Sequence, residues 1–237
     1  MAKRSGGEPV VLAHALNELG LWCKDVGRYA EAREHYAQAL RVLRGTGRTD
    51  PHDLAALYHN LGGIEHARGH YARGEVLARR GLALRLVRAK PDAAPLAADL
   101  IALAALVSGL GRLEEAERLY LAGLELLGGS PGERTLEEAV ALHGLGSQYA
   151  SEGRLEEAIG LLQRAATLKR RLLGPDHADL ALTLNNLAVT HRRRGDRAAA
   201  ASLNAEARVI FERALGPDHP KTRTCRRNAE ALGGGRD

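Results

Sequence analysis

Along most of the chain, leucine, alanine and valine recur three and four residues apart with polar residues between them, the spacing of amphipathic helices. Leu12, Leu16, Leu19 and Cys23 form one such stripe, and Leu180, Leu184 and Leu187 another. The stripes come in pairs, and the pairs repeat. Gly27, Gly69, Gly111, Gly153 and Gly195 each follow the last by 42 residues. Eight residues before each stands Leu19, Leu61, Leu103, Leu145 or Leu187, and five after stands Ala32, Gly74, Ala116, Ala158 or Ala200. Two further columns keep the same step: Leu16, Tyr58, Leu100, Leu142, Leu184, and Ala39, Gly81, Gly123, Ala165, Ala207. Columns held in register across five units predict a repeat array.

Each unit reads as two helices. The first ends near the glycine, which can take the left-handed conformation that closes a helix. The second begins one or two residues later, with Glu114–Glu115 and Glu156–Glu157 in first turns, where the helix dipole favours negative charge. The small residues of two columns let the paired helices approach closely. Two connecting loops read Leu-Gly-Pro-Asp-His, Leu173 to His177 and Leu215 to His219. Glycine ends the helix there, proline blocks its continuation, and aspartate can cap the next one. Pro91–Asp92 holds the same register, and Asp50–Pro51–His52 is a shifted version.

The predicted fold is all-α, one solenoid over residues 9–232. Its five helical hairpins cover about 13–54, 55–96, 97–138, 139–180 and 181–222. A C-terminal capping helix follows, centred on 223–232 and starting near Pro220. The cap carries Lys221, Arg223, Arg226, Arg227 and Glu230, the polar outer face a solenoid end requires. The first helix is expected to begin near Glu8–Pro9. Residues 1–8 and 233–237 are expected to be disordered, and the loop Gly128–Gly132 mobile.

The pattern Leu19–Gly20, Gly27, Tyr29, Ala32, Ala39–Leu40 resembles the tetratricopeptide repeat (TPR). The 42-residue period, with Leu-Gly-Pro-Asp-His and Leu184–Asn185–Asn186–Leu187–Ala188, is similar to the long-helix type of kinesin light chains and many bacterial regulators. The resemblance covers roughly residues 10–230 and implies a right-handed α-solenoid whose first helices line a concave groove.

That resemblance also marks the groove positions expected to touch a ligand: Asn17, His59, Asn60, His66, Ile101, His143, Ser147, Asn185, Asn186, Arg192, Arg193, Arg227 and Asn228. His14 falls on the same face. Small residues, among them Ala98, Ala102, Ala105 and Gly144, floor the middle. An asparagine side chain both donates and accepts, so Asn60, Asn186 and Asn228 can pair with an extended peptide's main chain irrespective of its sequence. The alternative is that Asn186 bonds within its own helix pair. The lysines and arginine of the chaperone-binding carboxylate clamp are absent, since those positions hold Asn17, Leu21, Asn60, Ala98 and Ala102.

Composition narrows the function. Aromatic residues are only 3% of the chain, so the core is built of small aliphatics, as suits closely packed helices. No apolar run is long enough to span a membrane, and no signal core follows Met1, so a cytoplasmic location is expected. The richness in alanine, arginine, glycine and leucine over lysine hints at a bacterial source. Cys23 and Cys225, far apart and in no metal spacing, read as two reduced thiols. The charge is uneven: residues 1–159 hold 19 basic and 21 acidic groups, residues 160–237 hold 15 and 8.

The favoured reading is a non-enzymatic adaptor that binds a protein or peptide segment, with an acidic ligand a natural partner for Arg192, Arg193 and Arg227. No cofactor is called for. A homodimer through the N-terminal end stays open, because that end has no obvious cap. One alternative is an enzyme or metal site built on His14, His59, His66 and His143. Against it, His59 and His143 stand two units apart, about 20 Å, while zinc ligands need distances near 2 Å. The other is nucleic-acid binding by Lys169–Arg170–Arg171, Arg192–Arg193–Arg194 and the cap arginines. Against that, Phe211 is the lone aromatic residue of the basic third, so bases have little to stack on.

Overall fold

The computed structural model describes residues 7–47, 50–87, 91–128 and 135–233. The expected disordered stretch 1–8 lies outside these residues except for Gly7 and Glu8, which open the first helix. The expected tail lies outside them beyond Gly233, and the expected mobile loop beyond Gly128.

Eleven helices run through the described residues: α1 (Gly7–Asp25), α2 (Tyr29–Gly45), α3 (Pro51–Ala67), α4 (Tyr71–Arg85), α5 (Ala93–Gly109), α6 (Leu113–Gly128), α7 (Leu136–Glu152), α8 (Leu155–Leu173), α9 (Ala178–Arg194), α10 (Arg197–Leu215) and α11 (Pro220–Gly233). They form an all-α solenoid in which α1 packs on α2, α3 on α4, α7 on α8 and α9 on α10. The chain divides into two compact units, Met1–Leu126 and Leu127–Asp237.

The first helix of every hairpin ends in the same way. Gly27, Gly69, Gly111, Gly153 and Gly195 all have positive φ, from 74° to 96°. At each, the glycine N–H donates three residues back and the next N–H five residues back, as in Gly153 N to Ala150 O at 3.2 Å and Arg154 N to Tyr149 O at 3.0 Å. This pair of bonds satisfies carbonyls that a helix end otherwise orphans. Arg28, Arg112 and Arg154 then reach forward three residues to Glu31, Glu115 and Glu157, fixing the start of the second helix.

Small residues set the spacing both between and within hairpins, as Gly74 of α4 does against α5 and Gly123 of α6 against α5. A Cβ on Gly74 would stand 2.3 Å from Leu106 Cδ2, and one on Gly123 2.8 Å from Ile101 Cγ1. In the first unit Tyr36, Ala39 and Leu43 of α2 share a core cluster with Leu57, Leu61 and Ile64 of α3. In the second, Leu180, Ala181 and Leu184 of α9 pack with Ala207, Ile210 and Phe211 of α10 and with Cys225 of α11.

The Leu-Gly-Pro-Asp-His loops correct one expectation. The helix caps are the histidines: His177 Nδ1 accepts from Asp179 N at 3.1 Å, and His219 Nδ1 from Lys221 N at 3.2 Å. Asp176 instead faces Arg213 at 3.3 Å. Asp50 does cap its helix, accepting from His52 N at 2.8 Å. Proline placement explains the difference: in Asp50–Pro51–His52 the aspartate stands directly at the helix start, whereas after Gly-Pro it stands one residue too early.

Candidate functional site

In the first unit the first helices are α1, α3 and α5. Their facing side chains form polar rungs from one repeat to the next. Asn60 of α3 donates to Asn17 Oδ1 of α1 at 2.8 Å. His59 Nδ1 donates to Asp99 Oδ1 of α5 at 2.8 Å, and the other oxygen of Asp99 accepts from Arg85 Nε of α4. Arg85 Nη1 also donates to His52 Nδ1 at 3.1 Å. Asp99 and Arg85 are both buried. His14 is exposed, with Nε2 3.7 Å from Asp53 Oδ1. His66 is exposed and tilts against the Tyr71 ring, centroids 5.5 Å apart.

The same unit buries a second carboxylate. Glu65 accepts from Arg33 Nε and from His70 Nδ1, each at 2.8 Å. Burial works against its charge, yet those hydrogen bonds and the Arg33 charge hold its carboxyl below the usual range.

The second unit repeats the rungs on α7, α9 and α11. Asn186 donates to Ser147 Oγ at 3.0 Å and Asn228 to Asn185 Oδ1 at 2.9 Å. Asn185 Oδ1 also accepts from the Cys225 thiol at 3.2 Å. Burial pushes that thiol up to about 11, so it stays protonated. Both cysteines are free and buried.

Two periods after His59, Arg85 and Asp99 stand His143, Lys169 and Thr183. His143 Nδ1 lies 3.0 Å from Thr183 Oγ1, whose hydroxyl donates to Asp179 O at 3.1 Å. Lys169, 3% exposed, donates to the same carbonyl at 3.3 Å. Burial, with the charge of Lys169 added, pushes His143 down to about 3, so its ring is neutral. Burial also lowers Lys169, against the pull of Asp179.

Two expected groove residues are corrected. Ile101 is 3% exposed and packs over Gly123, because its place on α5 faces α6. Asn185 is 9% exposed and turned towards α11, where it joins the cap to the stack. Asn17, His59, Asn60, His143, Ser147, Asn186, Arg192 and Asn228 are half-buried, and His66, Arg193 and Arg227 are exposed. Arg193 donates to the carbonyl of Ala150, and Arg227 to Thr224 Oγ1 at 3.2 Å. Asn186 bonds to the preceding repeat and not within its own helix pair.

The histidines do not converge. Among the described residues no group of three His, Cys, Asp or Glu could hold a metal ion, and no helix is long and apolar enough to cross a membrane. Residues missed by sequence reasoning are Asp99, Arg85, Glu65 and Thr183, while Lys169, grouped there with an exposed basic run, is buried. Asp99 and Thr183 do leave a sign: both interrupt a column that reads Ala15, Leu57 and Ala141 elsewhere.

A family model for the tetratricopeptide repeat matches residues 11–86 and 137–208. Among solved structures, BtubC (BKLC) from P. vanneervenii is 22% identical with a TM-score of 0.71, over 84% of this chain and 81% of that one. A set of nearly identical TPR-like repeats of kinesin-light-chain type from Podosopora anserina is 21% identical with a TM-score of 0.61, over 87% and 98%. The Rap conjugation gene regulator of plasmid pLS20, solved with the Phr* peptide, is 12% identical with a TM-score of 0.79, over 100% and 62%. At these identities the likeness is one of fold. No curated protein matches the sequence.

Proposed function

The chain belongs to the tetratricopeptide-repeat family, and from that premise we propose that it is a non-catalytic adaptor holding an extended peptide or protein segment against its first helices. One observation carries the reading. The three rung asparagines Asn60, Asn186 and Asn228 spend an amide N–H on the neighbouring repeat. That bond fixes each side chain, and the carbonyl oxygen stays available to accept from a peptide main-chain N–H. An array of prepositioned acceptors suits a ligand recognised by its backbone. Support from fold alone comes from the Rap regulator, which carries a peptide in its structure.

In the second unit Arg192 is half-buried and Arg227 exposed, near the end of the chain with surplus positive charge. An acidic segment is therefore the ligand class of choice, and a cytoplasmic regulatory role is the setting proposed for it.

The test is selection of binders from a random peptide library on the full chain, followed by titration against an Asn60→Asp/Asn186→Asp double variant. Aspartate keeps the size and the acceptor but loses the amide donor and adds charge. Selected peptides should be enriched in acidic residues and bind the variant at least tenfold more weakly. Peptides that bind both proteins equally would move the ligand off this face.

A further inference from the structure

The repeat columns reveal a surface on α1 that has no counterpart in later repeats. Leu61, Leu103 and Leu187 are at most 6% exposed, whereas Leu19 in the same column is 48% exposed. Ile64 and Leu106 are at most 1% exposed, whereas Trp22 in their column is 54% exposed. Val11 (67%), Leu12 (48%) and Val26 (52%) lie on the same side. With 3.6 residues per turn, Val11, Leu12, Ala15, Leu19, Trp22 and Val26 fall within an arc of about 100°. On α3 this face is covered by α2, through Tyr36, Ala39 and Leu43. On α1, no helix among the described residues covers it.

We propose that a second copy of this chain covers it, α1 packing antiparallel on α1 across a two-fold axis beside Leu19. The stripe is self-complementary in that sense. Val11, Ala15, Trp22 and Val26 are spaced four, seven and four residues apart, a palindrome. An antiparallel pairing therefore sets Val11 opposite Val26 of the other copy and the small Ala15 opposite the large Trp22, twice over. An isologous contact of this kind closes at two subunits. A head-to-tail contact is disfavoured, because the described exposed side chains of α11 are mainly charged, Lys221, Arg223, Arg226, Arg227 and Glu230 beside Pro220 and Ala229, and offer the large apolar residues of α1 little to pack on.

The area fits a weak dimer. Five large side chains about half exposed leave on the order of 500 Å² of apolar surface. A pair would then bury about 1,000 Å², the lower limit for a specific interface. The dimer should accordingly form in the micromolar range.

Sedimentation equilibrium on the full chain tests this, with fluorescence of Trp22, the chain's one tryptophan, as a second readout. The mass should rise with concentration from 25.4 kDa towards twice that value and no further. Trp22 emission should shift to the blue in step as the indole leaves water. Leu19→Glu should weaken association at least tenfold with an unchanged circular dichroism spectrum. Val76→Glu, at an exposed valine of α4, should leave it unchanged. A chain monomeric throughout, species larger than a dimer, association that survives Leu19→Glu, or an emission maximum independent of concentration would each overturn the proposal.

Discussion

Asp99 holds His59 on one carboxylate oxygen and Arg85 on the other, joining α5 to both helices of the preceding hairpin. The pair Asp99–Arg85 is buried. Breaking a buried ion pair from one side leaves an uncompensated charge, which costs about 3–5 kcal/mol. Asp99→Ala should therefore lower the thermal midpoint strongly. Replacing both partners, as in Arg85→Met/Asp99→Leu, removes the charges together and should recover most of that loss. Melting curves of the three proteins decide it. A double variant as unstable as Asp99→Ala would show that the network matters through His59 and His52, not through the ion pair.

His143 gives the fold a dependence on acid. Its pKa is pushed down to about 3 in the folded chain, from an ordinary value near 6.5. Between those values the unfolded chain binds the proton and the folded chain does not. Stability from this residue is thus fully present above about pH 6.5 and falls as pH drops towards 3, by at most about 1.4 kcal/mol per pH unit. His143→Gln keeps a side chain that can bond Thr183 and cannot titrate. The gap in midpoint between variant and parent should move in the variant's favour from pH 7 to pH 5. A constant gap would mean that His143 stays solvated enough to protonate in place.

The unequal legibility of the molecule has a physical basis. The helix-ending glycines and the small-residue columns were readable because each answers a local steric demand, positive φ at Gly153 or close approach at Gly74. Such demands are met by one or two residue types, so they recur in register. Leu19 shares its column with leucines that are buried in later repeats, but burial is set by neighbours, and among the described residues no helix covers α1 as α2 covers α3. The asparagine rungs were half legible: polarity on the first helices could be seen, but not that Asn186 would reach Ser147 and not its own partner helix. His177 as a cap was missed because histidine is a rare cap, and the Asp176 beside it is a common one.

Lys169 stands where Arg85 stands two periods earlier, but Thr183 replaces the carboxylate that Asp99 provides. Lys169 is 3% exposed, and its ammonium has a carbonyl at 3.3 Å. Burial lowers its pKa in the folded chain. The unfolded chain therefore holds the proton to higher pH, and stability rises as pH climbs from the lowered value towards 10.5. Below that lowered value the cost of the buried charge is fully present. Lys169→Met, similar in shape and uncharged, should stabilise the chain by about 1 kcal/mol or more at pH 7. The advantage should shrink at alkaline pH. A destabilised Lys169→Met protein at pH 7 would show that the bond to Asp179 O outweighs the buried charge.

Two glycines of the second unit should respond in opposite directions to the same substitution. Gly160 lies inside α8, is exposed, and a Cβ there would meet nothing within 4 Å. Alanine removes conformational freedom from the unfolded chain and is the better helix former, so Gly160→Ala should stabilise by about 0.5–1 kcal/mol. Gly153 has equally open surroundings, but its φ is +86°. Alanine in that conformation brings Cβ against the backbone and costs about 1–2 kcal/mol. Thermal melts of the single variants separate the two effects, since neither site changes packing. Equal destabilisation by both would mean that α8 needs Gly160 for a contact made outside the folded monomer.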